Sequence, residues 1–130
     1  MPHHHTLKFA HQAVIQEGLR MYPPGTSLVL KKVPKGGDII NGRFIPEGTR
    51  IAHSVWTLMR SKSVFGEDVD IFRPERWLDA HAERRAEMER TVDLGFGYGR
   101  WLCVGKVLAY MELNKVLVEV SRCVFFINNS

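Results

Sequence analysis

Hydrophobic residues recur at helical spacing near the start of the chain, where Ile15, Leu19 and Tyr22 fall on one face. Side chains three and four residues apart share one side of a helix, so the pattern predicts a helix over about 7–22. Pro23-Pro24 follows at once, and proline can neither continue a helix nor tolerate a helical residue before it. The first helix is therefore predicted to end at the prolines.

Short apolar segments separated by turn residues come next. Residues 27–33 are apolar and partly β-branched and predict a strand, which ends before the turn at Gly36-Gly37. Asn41-Gly42 separates two apolar pairs, and an Asn-Gly pair in that setting is a strong signal for a β-hairpin. A further short strand is predicted over 49–52.

The segment from 54 to 102 alternates helical and irregular stretches. Its predicted elements are a short helix over 54–60, an irregular segment over 61–77, a charged surface helix over 79–90 and a glycine-rich loop over 91–102. The predicted fold class is mainly α with small β-hairpins, in a single domain over residues 1–130.

The last helix is predicted to run from Cys103 to Val120. Its polar residues form one stripe, Glu112, Lys115 and Glu119, and nearly all its other positions are apolar, so most of this helix is predicted to be buried. Residues 123–127 predict a closing strand, with Cys123 as a small core residue.

Composition permits a packed core and excludes few functions. The chain has 130 residues, is 45% hydrophobic and 25% charged, and carries a formal net charge of +4. The basic excess fits a solvated surface or an acidic partner. The chain contains no run of five Lys or Arg, so its charge does not indicate nucleic-acid binding. No segment approaches the ~18 apolar residues that cross a bilayer. No secretory signal is predicted either, so a disulfide between Cys103 and Cys123 is not expected.

The segment Phe96-Gly97-Tyr98-Gly99-Arg100-Trp101-Leu102-Cys103-Val104-Gly105 is the most informative part of the chain. Its glycines let a backbone turn sharply and approach a flat ligand closely. A cysteine at the start of a predicted helix meets free N–H groups and the positive end of the dipole, which favour a thiolate. From the residues alone, a buried structural cysteine after a glycine loop remains the alternative.

This segment resembles the haem-binding signature of the cytochrome P-450 family, F-G-x-G-x-R-x-C-x-G. Five of its residues fit that signature, namely Phe96, Gly97, Gly99, Cys103 and Gly105. The resemblance implies that Cys103 is the catalytic thiolate and the axial ligand of the iron of haem b. It also implies that Phe96 and the glycines shape the ligand loop.

The sequence departs from the signature at Trp101, where the family usually has an Arg or His that pairs with a haem propionate. The indole N–H of Trp101 can donate one hydrogen bond but supplies no charge. Gly99-Arg100-Trp101, together with residues 111–115, resembles a fungal branch of the family related to pisatin demethylase. Arg100 and Lys106 flank the cysteine and are candidates for steering an acidic reductase, although a solvated edge is the alternative for each.

Two further motifs resemble elements of the same family. Glu17 and Arg20 form an E-x-x-R pair, and residues 72–77 resemble its P-E-R-F/W element, which contains Arg76. The resemblance implies a buried network of Glu17, Arg20 and Arg76 that holds the cysteine loop in place. Lys31 lies nearest to a basic residue that binds a propionate in the family, and residues 26–30 would face substrate. An ordinary exposed lysine is the alternative for Lys31.

The resemblance implies the C-terminal part of the cytochrome P-450 fold: a late helix with E-x-x-R, a small sheet, a meander, the cysteine loop and a long final helix. The implied activity is NADPH- and oxygen-dependent haem-thiolate oxidation of an unidentified organic small molecule. The implied partner is NADPH–cytochrome P-450 reductase, and the implied location is intracellular, at the endoplasmic reticulum membrane for a full-length member. Because the family's long central helix and membrane anchor are not recognised here, the chain is predicted to be a catalytically incomplete fragment. The alternative is a truncated, non-catalytic haem-binding or inert fragment.

Overall fold

The computed structural model describes residues 3–26 and 28–128 of the chain. Its helices and strands, in chain order, are α1 His3–Met21, β1 Leu28–Lys32, β2 Asp38–Ile40, β3 Arg43–Ile45, β4 Arg50–Ser54, α2 Val55–Leu58, α3 Lys62–Phe65, α4 Glu75–Asp79, α5 Ala82–Asp93 and α6 Lys106–Asn128. Single 3-10 turns cover Leu94–Phe96 and Gly99–Trp101. The predicted fold class, mainly helical with small antiparallel sheets, is confirmed.

The strands form two separate two-stranded antiparallel sheets. One is the predicted hairpin of β2 and β3, in which Asn41 and Gly42 have φ angles of 50° and 75°. Positive φ at both central residues is what a tight two-residue hairpin turn requires. The other sheet pairs β1 with β4, with Val29 opposite His53, and the β2–β3 hairpin is inserted between these two strands in the chain.

The core lies between α1 and the segment from α2 to α5. Its buried apolar residues are Ala13, Ile15, Leu19, Val55, Met59, Phe65, Val69, Trp77, Met88, Val92 and Phe96. The α1 helix ends at Met21, one residue before the predicted limit, and Pro23-Pro24 follows. Its buried face includes the charged residues Glu17 and Arg20 as well as apolar ones.

The structure corrects two predictions in the middle of the chain. The segment 61–77 contains α3 and the start of α4, so it is more regular than its polar composition indicated. The charged helix α5 extends to Asp93 and is not confined to the surface, because Met88 and Val92 are each 1% exposed. Two apolar residues a turn apart are enough to attach one face of this charged helix to the core.

The end of the chain differs more strongly from its prediction. The last helix begins at Lys106 and not at Cys103, and it continues through residues 123–127, so the predicted closing strand is wrong. Cys123 is exposed and is not a core residue. β-branched and aromatic residues favour a strand only where a neighbouring strand can pair with them, and here the helical hydrogen bonds continue instead.

Most of α6 is exposed, so its predicted burial is also wrong for this structure. Its contacts with the core are made by Ala109, Tyr110 and Leu117. By contrast, Val107, Met111 and Val116 on the same helix are 74%, 65% and 60% exposed. Within the described residues, no helix combines the length and apolar character that crossing a bilayer requires.

Candidate functional site

Glu17, Arg20 and Arg76 meet in the core, although Arg76 lies far along the chain from the other two. Arg20 donates from Nη2 and Nε to the two carboxylate oxygens of Glu17, at 2.8 and 3.0 Å. Arg76 donates from Nε to Oε1 of Glu17 at 3.0 Å. All three side chains are almost wholly excluded from solvent. The structure thus brings the three residues of the predicted network into direct contact.

The other guanidinium N–H groups bind backbone carbonyls, and Arg76 also binds the side chain of Asp68. Arg20 Nη1 donates to the carbonyls of Met59 and Val69, at 3.1 and 2.6 Å. Arg76 donates to the carbonyls of Phe65 and Ile71, at 2.6 and 3.0 Å. Buried charges are tolerated only when their hydrogen-bonding groups are paired, and these bonds meet that condition. The two arginines therefore tie α1 and α4 to the segment that runs from α2 to residue 71.

Two members of this network were not identified from the sequence. Trp77 donates its indole N–H to Glu17 at 2.9 Å. Asp68 accepts from Arg76 at 2.8 Å and pairs with Arg73 at 2.7 Å. A tryptophan directly after the P-E-R sequence was the available signal for Trp77, because a buried indole N–H needs an acceptor.

The acids of the network are held in their charged forms. Burial raises the pKa of Glu17, but hydrogen bonds from Arg20, the backbone of Arg73 and Trp77 outweigh it, so the pKa lies below the ordinary 4.5. The hydrogen bond from Arg76, partly opposed by burial, holds the pKa of Asp68 below the ordinary 3.8. Both carboxylates are therefore negative at neutral pH.

The cysteine loop, residues 94–105, connects α5 to α6 and is closed by its own backbone. The N–H of Cys103 donates to the carbonyl of Phe96 at 2.8 Å, and the 3-10 turn Gly99–Trp101 lies between these two residues. Gly97 has a φ of 85°, and a Cβ at this position would collide with the carbonyl oxygen of Trp101. Only glycine fits this combination of a left-handed backbone and a close approach.

Cys103 presents a free, exposed thiol at the end of this loop. It lies just before α6, and its Sγ is 3.7 Å from the position that a Cβ on Gly105 would occupy. Phe96, at the other end of the closed turn, is buried, and its ring centroid lies 5.8 Å from that of Tyr110. The loop is therefore anchored to the core at Phe96 and exposes its thiol.

The side of the loop next to β1 carries donors that could bind carboxylates. Lys31 and Trp101 line one groove of about 370 Å³, together with Val29, Leu30 and Lys32. An exposed thiol, an ammonium and an indole N–H are the donor types that an iron ion with two flanking propionates would need. The residues present are therefore compatible with haem. Among the described residues, no group of three or more His, Cys, Asp or Glu could hold a metal ion.

The two basic residues that flank the cysteine have different surroundings. The guanidinium carbon of Arg100 lies 5.2 Å from the ring centroid of Trp101, and both side chains are exposed. Lys106 instead pairs with Asp93, with 2.8 Å between Nζ and Oδ1. Arg100 thus remains open to a partner, whereas the charge of Lys106 is compensated within the chain.

Comparison with known proteins gives a consistent result. The family profile described as Cytochrome P-450 matches residues 7–122. The chain is 53% identical over 111 residues to cytochrome P-450 monooxygenase ABA1 of Pyricularia oryzae, and 39% identical over 115 residues to pisatin demethylase of Fusarium vanettenii. These matches cover 85% of this chain but only 22% and 21% of the two relatives. Among solved structures, cytochrome P-450 CREJ superposes with a TM-score of 0.59 at 26% identity, covering 91% of this chain and 26% of that chain.

Proposed function

The chain belongs to the cytochrome P-450 family, and we propose that it forms the cysteine-bearing, haem-binding part of a haem-thiolate monooxygenase. Its similarity to fungal members, including pisatin demethylase, confirms the predicted branch. The chain spans about a fifth of the length of the curated relatives it matches. We therefore propose that residues 1–130 form one part of a single domain, and that the activity belongs to the whole domain.

The observation that carries the proposal is the geometry of Cys103. Its thiol is free and exposed, and its backbone N–H is fixed on the carbonyl of Phe96 at 2.8 Å. Gly99 has open space where a side chain would lie, and a Cβ on Gly105 would come within 3.7 Å of the sulfur, so the lack of these side chains lets a flat ligand approach the thiol. We propose that the thiolate of Cys103 would bind the haem iron.

The bound haem would supply oxygen activation, to which a thiolate ligand contributes electron density that favours cleavage of the O–O bond. The chain's own residues hold and orient that thiolate. The backbone hydrogen bond from Cys103 to Phe96 fixes the backbone that carries the sulfur, and the core contact of Phe96 fixes the turn. The Glu17, Arg20 and Arg76 network holds together α1 and α4, which contribute to the same core as Phe96, and it does not itself react.

Lys31, Arg100 and Trp101 are proposed to bind the propionates. The ammonium of Lys31 would provide the charge that Trp101 cannot, and the indole N–H of Trp101 would provide one hydrogen bond. The groove that Lys31 and Trp101 both line supports the assignment of these two residues. Arg100 lies beside Trp101 and adds a second positive charge at the same edge.

The partners are proposed from the family. The substrate is a small organic molecule, and residues 26–30 would contact it. Electrons would come from NADPH–cytochrome P-450 reductase, whose acidic surface would meet basic residues such as Arg100. An endoplasmic reticulum location of the whole protein is proposed on the same basis.

The test uses the purified chain. After addition of haemin and reduction, binding of carbon monoxide should give the red-shifted Soret band of a thiolate complex. Cys103→Ala should abolish this band. Cys123→Ala is the matched control, because Cys123 is the other free, exposed cysteine, and this variant should keep the band. Absence of the band in the wild-type chain, or its survival in Cys103→Ala, would contradict the proposal.

A second candidate is a chain that binds haem without turnover, or one that is inert. Exposed apolar residues of α6 such as Val107, Met111 and Val116 favour it, because exposed apolar surface of this kind usually packs against further protein. We propose that the 130-residue chain alone is catalytically incomplete. Substrate oxidation by the haem-loaded chain with reductase and NADPH would contradict this, whereas a thiolate spectrum without oxidation would support it.

A further inference from the structure

Asp93 connects the two ends of the cysteine loop. It is the last residue of α5, directly before the loop, and Lys106 is the first residue of α6, directly after it. One oxygen of Asp93, Oδ1, lies 2.8 Å from Nζ of Lys106 and accepts from the hydroxyl of Tyr110 at 3.4 Å. A single carboxylate therefore joins the beginning and the end of the loop that carries Cys103.

Neither of these charges is favoured by its own helix. Asp93 stands at the C-terminal end of α5, where the helix dipole disfavours a negative charge, and Lys106 stands at the N-terminal end of α6, where it disfavours a positive one. The local helices therefore do not account for either residue. The contact between them does, because each charge compensates the other.

Tyr110 extends this contact to the buried side of the loop. Its ring lies 5.8 Å from that of Phe96, and the ammonium of Lys106 lies 6.0 Å from the Tyr110 ring. Burial and the nearby charge of Asp93 raise the pKa of Tyr110 to about 12, so its hydroxyl stays protonated and remains a donor at neutral pH. Through Tyr110, Asp93 is linked to Phe96, whose carbonyl accepts from Cys103.

We propose that Asp93 is a positioning residue that fixes the place of Cys103 by holding Lys106 and Tyr110 across the base of the cysteine loop. The part of this inference that concerns haem rests on the proposed function, whereas the closure of the loop does not. Loss of Asp93 would leave the backbone bonds within the loop but release its two ends. Cys103 would then sample a wider range of positions.

The first experiment measures amide hydrogen exchange of Cys103 in the haem-free chain. Asp93→Ala should speed this exchange by about fivefold, the order expected for loss of a partly exposed ion pair. Glu87→Gln is the matched control, because Glu87 lies earlier on α5, lines the same groove as Asp93 and loses the same charge. Equal exchange rates in Asp93→Ala and Glu87→Gln would overturn the proposal.

A charge reversal separates the ion pair from general damage to the helix. The double variant Asp93→Lys with Lys106→Asp restores opposite charges and also places each at the end of its helix that the dipole favours. Its exchange rate should return towards that of the wild-type chain. A rate as fast as that of Asp93→Ala would show that the ion pair does not close the loop.

The second experiment separates this proposal from the proposed function. In the haem-loaded, reduced and carbon monoxide-bound chain, Asp93→Ala should show a several-fold smaller fraction of the red-shifted Soret band than Glu87→Gln at equal haem content. If the wild-type chain gives no such band, the proposed function fails, and the exchange rates still decide the role of Asp93. If the band is equal in the two variants, the positioning of Cys103 by Asp93 is refuted.

Discussion

Trp77 donates its indole N–H to Oε2 of Glu17 at 2.9 Å, joining two buried residues that lie 60 positions apart. The Trp77 ring also packs against Phe65, with 6.1 Å between ring centroids. Glu17 accepts five hydrogen bonds in all. Two come from Arg20, one from the backbone N–H of Arg73, and one each from the side chains of Arg76 and Trp77. The carboxylate of Glu17 therefore links α1 to α4.

Replacing Trp77 with Phe should therefore destabilise the fold even though an aromatic ring remains. The variant removes one donor to a charged, buried acceptor, which costs about 1.5–3 kcal/mol of unfolding free energy. Urea unfolding of the chain measures this. Trp101→Phe is the control, because Trp101 is 59% exposed, and its unfolding midpoint should stay close to that of the wild type. Equal midpoints for both variants would refute the role of the indole N–H.

Glu17→Gln should cost more, because it leaves the buried guanidinium group of Arg20 without its countercharge and leaves Arg76 with only the partly exposed Asp68. Removing one partner of a buried pair typically costs about 3–5 kcal/mol. Glu67→Gln is a matched control. Glu67 pairs with Lys62 at 2.8 Å, the same distance as between Glu17 and Arg20, but the side chains of Glu67 and Lys62 are 85% and 61% exposed. That solvent-screened pair should contribute little to the unfolding free energy. Similar losses in the two variants would contradict the importance of burial.

Stability should fall in acid because Glu17 and Asp68 have lowered pKa values in the folded chain. A depressed folded pKa gives stability that is fully present above the unfolded pKa and is lost as the pH falls through the folded one. The difference in unfolding free energy between wild type and Asp68→Asn should thus be constant above the ordinary Asp pKa of 3.8. It should shrink as the pH falls below that value. Urea midpoints across this range test the sign.

The control for the acid experiment is Asp79→Asn. Asp79 is 69% exposed, and its contact with Arg73 is long, at 3.8 Å. The unfolding free energy of Asp79→Asn should differ little from that of the wild type at every pH. A difference for Asp68→Asn that widens in acid would show that the sign of the predicted linkage is wrong.

Gly97→Ala should disrupt the cysteine loop, whereas Gly99→Ala should be tolerated. Both glycines have positive φ, 85° and 58°, but a Cβ on Gly97 would collide with the carbonyl of Trp101, and one on Gly99 would meet nothing within 4 Å. Gly99→Ala then costs only the left-handed backbone, about 1–2 kcal/mol. The carbon monoxide spectrum of the haem-loaded chain should lose its thiolate band in Gly97→Ala and keep it in Gly99→Ala. Retention of the band in both would show that the close approach at Gly97 is not required.

Local elements were predicted well where a short stretch of chain decides the outcome. Asn41-Gly42 adopts the two positive φ angles of a tight hairpin, and Pro23-Pro24 follows the end of α1. Residues 123–127 show the limit of this reasoning. They have the composition of a strand, but a strand needs a partner, and in the structure these residues remain in α6.

The sequence by itself determined the motifs whose members are close together. The spacing of Glu17 and Arg20 within one helix, and of the glycines before Cys103 within one loop, is a local property that the order of residues fixes. Tertiary structure alone decided the contacts of Trp77 with Glu17, of Asp68 with Arg76, and of Asp93 with Lys106. These pairs join different elements, so no spacing in the chain marks them, and only the packing of the elements brings their charges and donors together.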